Sequence, residues 1–227
     1  MLFQLFKDPI ALVIFLAGVV IAVTIHEFAH AWTATRLGDY TAKYHGRLTL
    51  NPSKHFDILG ILFILFAGFG WGKPVPVNIN ALRGRYDELK IAIAGPLSNI
   101  VFASLIIFII SVANQFGYLA EYSLIRFALD AVIFINLALA IFNLLPIYPL
   151  DGSRIWISIA PESMKDQVSR FRQMGPMLLL LFIVITYAFG INIISPVVTW
   201  GYQILSAIIT VFVYYIIYIV KIIISLF

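Results

Sequence analysis

A His-Glu-x-x-His run, His26-Glu27-Phe28-Ala29-His30, lies inside a long apolar stretch, and no other feature of the 227 residues restricts the fold as tightly. In a helix its two histidines stand four residues apart on one face. That spacing can hold a Zn²⁺, with the intervening glutamate as base toward a metal-bound water. Residues 9–32 contain no other ionisable group. An ionisable side chain at bilayer depth costs about 3 kcal/mol or more, so such groups face a protein-lined cavity and find partners. A metal would neutralise all three at once. On a soluble surface helix the same motif would say little; the apolar frame gives it weight.

Composition agrees with a membrane setting. The chain is 62% hydrophobic and 11% charged, with a mean hydropathy of +0.99. Only helices and closed barrels satisfy the backbone in lipid, and the long apolar runs select an all-α polytopic protein of five to six transmembrane helices. Its length suits one membrane-embedded unit over 1–227, with a core at about 9–160 and further helices at about 176–226. Cysteine is absent, so disulfides are excluded and a metal must use nitrogen and oxygen ligands. The net charge of +4 reads as topology rather than nucleic-acid binding, and no nucleic-acid partner is expected. The beginning resembles a signal peptide, but the apolar stretch 10–25 is long for one and runs directly into the histidine motif; it reads as a retained span.

Five segments are long enough to cross a bilayer: roughly 9–34, 89–112, 124–145, 176–192 and 196–226. A sixth, 58–69, is short and flanked by glycine, which suits a re-entrant segment. Arg36, Lys43, Arg47, Lys54, Lys73, Arg83, Arg85 and Lys90 fall between the first two long spans, and Arg154, Lys165, Arg170 and Arg172 after the third. The connection 113–123 has no basic residue. All the basic loops share one side if 58–69 does not cross. The positive-inside rule then puts the N-terminus outside, the C-terminus inside and the histidine motif toward the cytoplasm.

Residues 40–56 alternate in character, and Lys73-Pro74-Val75-Pro76-Val77-Asn78 is extended because each proline biases its predecessor away from the helix. A small membrane-associated β-hairpin or sheet is expected here, with 73–78 as an edge strand.

A tetrahedral zinc needs a third protein ligand besides His26 and His30. His45 and His55 lie in a strongly polar loop and read as ordinary surface histidines. Asp151 follows Asn143-Leu-Leu-Pro146-Ile-Tyr-Pro149-Leu150, where two prolines break the third span. Unwound backbone at membrane depth lines a cavity or is buried, so Asp151 is the better candidate, unless it merely caps the helix that follows. Asn143 lies at the same break, where its amide could stabilise developing negative charge, or simply pack. Gly95-Pro96-Leu97-Ser98-Asn99 opens the second long span, and Asn99 reads first as an interhelical hydrogen-bonding residue.

The histidine motif, Gly95-Pro96-Leu97-Ser98-Asn99, and the run from Asn143 to Pro149-Leu150-Asp151-Gly152 together resemble the site-2 protease family (peptidase M50) of intramembrane zinc metalloproteases. The likeness covers about residues 10–160, and Asn51-Pro52 with 73–78 is similar to the compact prokaryotic members without a PDZ domain. It implies one Zn²⁺ per chain on His26, His30 and Asp151, and Glu27 as catalytic base. It also implies asparagines, here Asn143 and Asn99, holding the substrate. With the motif in the first apolar span, no extra helix like the one that precedes it in some relatives is expected. A prokaryotic cell membrane is the expected location.

The resulting expectation is hydrolysis of peptide bonds within or near the transmembrane segments of single-span substrates. Lys73, Val75, Val77 and Asn78 would hold the unwound substrate as an added strand. A metal transporter or sensor using the same ligands is the alternative. It would want polar groups along a path through the bilayer, and 9–25 is almost uniformly apolar. Intact Glu27 argues against a pseudoenzyme.

Overall fold

A computed structural model describes residues 7–58, 60, 63, 70, 72–118, 123–190 and 193–225. Helix α1, Pro9–Arg36, begins with proline in its first turn, while Asp8 Oδ1 accepts from the N–H groups of Ile10 and Ala11 at 3.0 and 3.1 Å. Both are ordinary start signals. Its buried residues Gly18, Ala22, His26, His30 and Ala34 fall every four residues, which makes one narrow stripe of mostly small side chains. Helices α3, Asp87–Gln115, and α4, Leu124–Asn143, pack against that stripe. A Cβ added to Gly18 would lie 2.6 Å from Ile135 Cδ1 of α4, so the glycine sets how closely these helices approach.

Between α1 and α3 lie the short helix α2, Thr41–Tyr44, and 3₁₀ turns at Pro52–Lys54 and Ile79–Ala81. After α4 come α5, Asp151–Ile159; α6, Lys165–Gln173; α7, Gly175–Phe189; and α8, Ile194–Ser225. The main apolar core joins Ile106, Ile107 and Ile110 of α3 to Ile133 and Leu137 of α4 and to Ile209, Val213 and Ile217 of α8.

Among the described residues four helices, α1, α3, α4 and α8, are long and apolar enough to span a membrane. The α6–α7 region, bent by 45°, makes a fifth only if it counts as one broken span. The all-α polytopic expectation holds, with four to five candidate spans where five to six were expected. Helix α7 has 15 residues, about 22 Å at 1.5 Å per residue, which is short for the expected span at 176–192. The proposed re-entrant segment 58–69 lies largely outside the described residues; Ile58, Gly60 and Phe63 are helical.

The β-hairpin does not survive. Among the described residues there is no strand, only an isolated antiparallel bridge between Phe56 and Gly72. Residues 41–44 are helical, and 73–78 is extended without a strand partner. Pro74 and Pro76 lack the N–H groups a ladder would need. Pro96 is also differently placed: α3 begins nine residues earlier, at Asp87, and carries the proline inside it. Asp87 accepts from the Gly84 N–H at 2.7 Å and from Lys90 Nζ at 2.9 Å, which anchors the earlier start.

The relative direction of the last helix also departs from expectation. Gly201 packs on Ile141 and Tyr202 on Phe134, while Thr210 and Tyr214 share a cavity with Arg126 and Asp130. Helix α8 therefore runs antiparallel to α4. His26, His30, Gly95 and Asp151 converge, which makes α4 parallel to α1. Residue 225 thus lies at the end of the bundle where α1 begins, and not at the opposite end. Five apolar segments implied five crossings; a segment that does not cross fully reverses the last one.

Because the chain has no cysteine, single cysteines report topology without background. Lys7→Cys and Ser225→Cys should react with an impermeant thiol reagent from the same side, and Lys43→Cys and Arg85→Cys from the other. Labelling of 7 and 225 from opposite sides would restore the five-crossing topology.

Candidate metal centre

Two elements, α1 and the start of α5, bring His26, His30 and Asp151 to one point. His26 Nε2 lies 3.0 Å from Asp151 Oδ2, His30 Nε2 lies 3.2 Å from the same oxygen, and the two Nε2 atoms are 3.1 Å apart. Among the described residues these form the one group of three or more His, Cys, Asp or Glu side chains that could hold a metal ion. Asp151 is the first residue of α5, with Leu150 in the cap position, so its carboxylate is turned to the histidines and does not cap the helix. The helix start favours its negative charge.

The far side of each ring decides what this cluster is. His30 Nδ1 is 2.7 Å from the Ile91 carbonyl, which can only accept. His26 Nδ1 is 2.7 Å from Asn99 Oδ1. Asn99 cannot be turned round, because its Nδ2 donates to the Ala22 carbonyl at 3.0 Å and to Asn136 Oδ1 at 2.8 Å. Asn136 is fixed in turn by donating to the Val132 carbonyl at 2.8 Å. Each Nδ1 therefore carries a proton, and Nε2 is the ring atom left to face Asp151 and a metal. Two ring nitrogens and a carboxylate oxygen meet there, the nitrogen and oxygen donor set that zinc takes. A carbonyl or carboxamide behind a ligating histidine is the usual support of a metal site. The 3.0–3.2 Å edges approach the ~3.3 Å edge of tetrahedral zinc with ~2.0 Å bonds. The residues fit the metal.

Close packing makes room for it. A Cβ on Gly95 would fall 2.6 Å from His26 Nε2 and nearer still to His30 Nε2. One on Gly152 would collide with the carbonyls of Leu144 and Leu145 at the end of α4.

Glu27 is half-buried beside the cluster, and Gly72 approaches it: a Cβ there would lie 3.5 Å from Glu27 Oε1 and 3.1 Å from the His55 carbonyl. The extended segment 73–78 runs on from this point. Lys73 N–H donates to the His55 carbonyl at 2.7 Å. Arg47, 5% exposed, donates through Nη2 to the Lys73 carbonyl and through Nη1 to that of Pro74 at 3.1 Å. Burial pushes the Arg47 guanidinium below its usual pKa and the Glu27 carboxylate pushes back. Further along, Asn78 N–H donates to Asp39 Oδ2 at 2.7 Å. Burial favours the neutral form of Asp39, but the hydrogen bonds from Thr41 and Asn78 outweigh it and hold the carboxyl below its ordinary value. Val75 is buried with Ala31 and Ala42, and Val77 packs on the same cluster.

Several sequence expectations change. Asn99 is fully buried and its amide is spent on His26, Ala22 and Asn136, which matches its reading as an interhelical hydrogen-bonding residue and leaves no amide group for a substrate. Asn143 donates to the Leu139 carbonyl one turn back in its own helix. Asn78 spends its N–H on Asp39 and has none for a substrate. His45 is exposed as expected, but His55 is fully buried, with Nε2 at 2.7 Å from the Thr49 carbonyl; it joins loop to loop and is not in the cluster. Asn136, Arg47 and Asp39 escaped the sequence reading. Only Asn136 left a sign, a lone carboxamide within the apolar run 131–142.

Comparison with known proteins points to one family. A family model described as peptidase family M50 matches residues 109–187. YwhC of Bacillus subtilis (strain 168), provisionally named a zinc metalloprotease, is 39% identical over 184 residues, 78% of this chain and 83% of that protein. Rip2 of Mycolicibacterium smegmatis, provisionally named likewise, is 32% identical over 146 residues, 62% of this chain and 54% of Rip2. Rip2 of Mycobacterium tuberculosis (strain ATCC 25618 / H37Rv) gives 31% with the same coverage. No solved structure matches.

Two substitutions test the support of the cluster. Asn99→Ala removes the acceptor behind His26 and should weaken zinc binding about 10–100-fold in a chelator competition titration. Gly95→Ala should abolish stoichiometric zinc in purified protein. Wild-type affinity in both would mean that neither residue shapes the site.

Proposed function

This chain belongs to peptidase family M50 and is a zinc metalloprotease of the membrane, and from that premise we propose that it cuts single-span membrane proteins within or near their transmembrane segments. The observation that carries the reading is the convergence of His26, His30 and Asp151 ligand atoms, with Glu27 next to His26 in sequence, in a helix apolar enough to span. These three would hold the zinc, with Asn99 and the Ile91 carbonyl fixing the rings. The metal, when bound, supplies a Lewis acid that polarises the scissile carbonyl and acidifies water. Glu27 takes the proton of the attacking water and passes it to the leaving amine. The α1, α3 and α4 packing keeps bulk water from the far side of the cluster.

A peptide bond in a helix is masked by its own hydrogen bonds, so the substrate must unwind. The 73–78 segment suits that need. Side chains of Val75 and Val77 share the inward face, so their N–H and C=O groups share one edge. Among the described residues, these two N–H groups have no partner, whereas Asn78, of opposite parity, is tied to Asp39. Arg47 fixes the beginning of the segment. An unwound substrate strand adding to the Val75–Val77 edge would pass Gly72 and reach Glu27. The basic residues between α1 and α3 favour a cytoplasmic position for this end of the bundle by the positive-inside rule, and the bacterial relatives suit a prokaryotic cell membrane. A metal transporter is not favoured, since the relatives are named for proteolysis.

Glu27→Gln should keep zinc at one per chain while lowering cleavage of a reconstituted single-span substrate at least ~100-fold, the scale of a lost general base. Unchanged turnover would remove Glu27 from the reaction. Val75→Pro and Val77→Pro should each lower kcat/KM about tenfold, the worth of one well-placed hydrogen bond, with zinc content unchanged. Val75→Ile and Val77→Thr, which keep the N–H, should stay near wild type. Full activity in both proline variants would refute strand pairing and leave the protease reading in place.

A further inference from the structure

At the end of the bundle away from the metal ligands, α3, α4 and α8 enclose a cavity of about 230 Å³. Its wall is unexpectedly polar for three membrane spans: Ser111 and Asn114 of α3, Arg126 and Asp130 of α4, and Tyr202 and Thr210 of α8. Ser111 is only 5% exposed, and among the described residues neither its hydroxyl nor that of Thr210 or Tyr202 has a hydrogen-bond partner. Polar groups at such depth are costly unless something polar meets them.

The charged pair shows what would meet them. Arg126 Nε donates to Asp130 Oδ2 at 2.8 Å. That single bond leaves both Nη groups of Arg126 and the second oxygen of Asp130 without a partner among the described residues. The pair therefore offers a planar donor fork, suited to a phosphate, beside a carboxylate oxygen suited to an ammonium group. Hydroxyls and a carboxamide stand around both. The pair is tied to the first two turns of α4, where a membrane-spanning helix emerges at the headgroup level. Tyr214, 53% exposed, stands at the cavity edge, and its neighbours Val211, Phe212 and Tyr215 are exposed apolar surface along which acyl chains can lie.

We propose that this cavity binds the zwitterionic headgroup of a phosphoethanolamine lipid, phosphate on Arg126 and ammonium on Asp130. It is separate from the metal centre and independent of how the protease handles its substrate. Asp130, its side chain 47% exposed at the cavity mouth, attracts an ammonium and gives an uncharged or purely anionic headgroup no such partner. A lipid is favoured over a soluble headgroup because the apolar surface beside the mouth lies in the bilayer.

The test uses purified full-length protein in detergent with phosphatidylethanolamine or phosphatidylglycerol of identical chains, bound lipid being read by native mass spectrometry. Wild type should retain the ethanolamine lipid about tenfold better, the scale of one charge-assisted hydrogen bond. Asp130→Asn keeps the shape of the side chain and should bring the ratio near one. Arg126→Gln should lower retention of both lipids about tenfold; should that variant not purify, Asp130→Asn carries the test alone. Zinc content and the thermal midpoint should match wild type in Asp130→Asn. Equal retention of the two lipids by wild type, or an unchanged preference in Asp130→Asn, would overturn the proposal. Displacement of the bound lipid by an equal concentration of glycerophosphoethanolamine would assign the cavity to a soluble headgroup and overturn the lipid reading.

Discussion

Two imidazole rings, each with its Nδ1 proton committed to a fixed acceptor, turn their Nε2 atoms and one carboxylate oxygen into the same small volume. Each partner is held by another: the Ile91 carbonyl belongs to the α3 backbone, and Asn99 is oriented by Ala22 and Asn136. Gathering ionisable groups inside an apolar bundle is costly unless they are paired or bind a metal. A divalent cation turns the same arrangement into a preorganised ligand set. Much of the helix packing serves to hold these groups at that distance.

Small residues make the distance possible. Gly18 and Ala22 let α4 approach α1, Gly95 leaves the space beside the rings, and Gly152 lets α5 start tightly against the end of α4 so that Asp151 returns to the cluster. Lipid gives helices no hydrophobic reason to associate, so close backbone approach and interhelical hydrogen bonds must supply it. The Ala22–Asn99–Asn136 chain meets that need with three helices at once. The structure thus uses one set of contacts both to join the spans and to orient a ligand.

The three residues that converge were legible because their chemistry is expensive in lipid: His26 and His30 stand out in an apolar run, and Asp151 follows a double-proline break. The four strong spans were legible from length and hydropathy. What failed depended on tertiary partners. The β-hairpin was inferred from alternation and β-branched residues, but a strand exists only with a pairing partner, and 73–78 is held by Arg47 and Asp39 side chains instead. His55 looked like a loop histidine because burial inside a folded loop leaves no local pattern. The side on which the chain ends turned on whether one marginal segment crosses, which composition does not decide. Asn99 was visible as a polar residue in a span, but only the ring it faces tells its task.

The His26, His30 and Asp151 ligand set is tested most directly by zinc K-edge X-ray absorption on the purified protein. It predicts a four-coordinate site with two imidazole nitrogens and oxygen donors at about 2.0–2.1 Å, and the same spectrum from His55→Ala. In Asp151→Ala the two-imidazole signature should persist with a lower zinc content. A wild-type spectrum with three imidazoles, or loss of the imidazole signature in His55→Ala, would contradict the account.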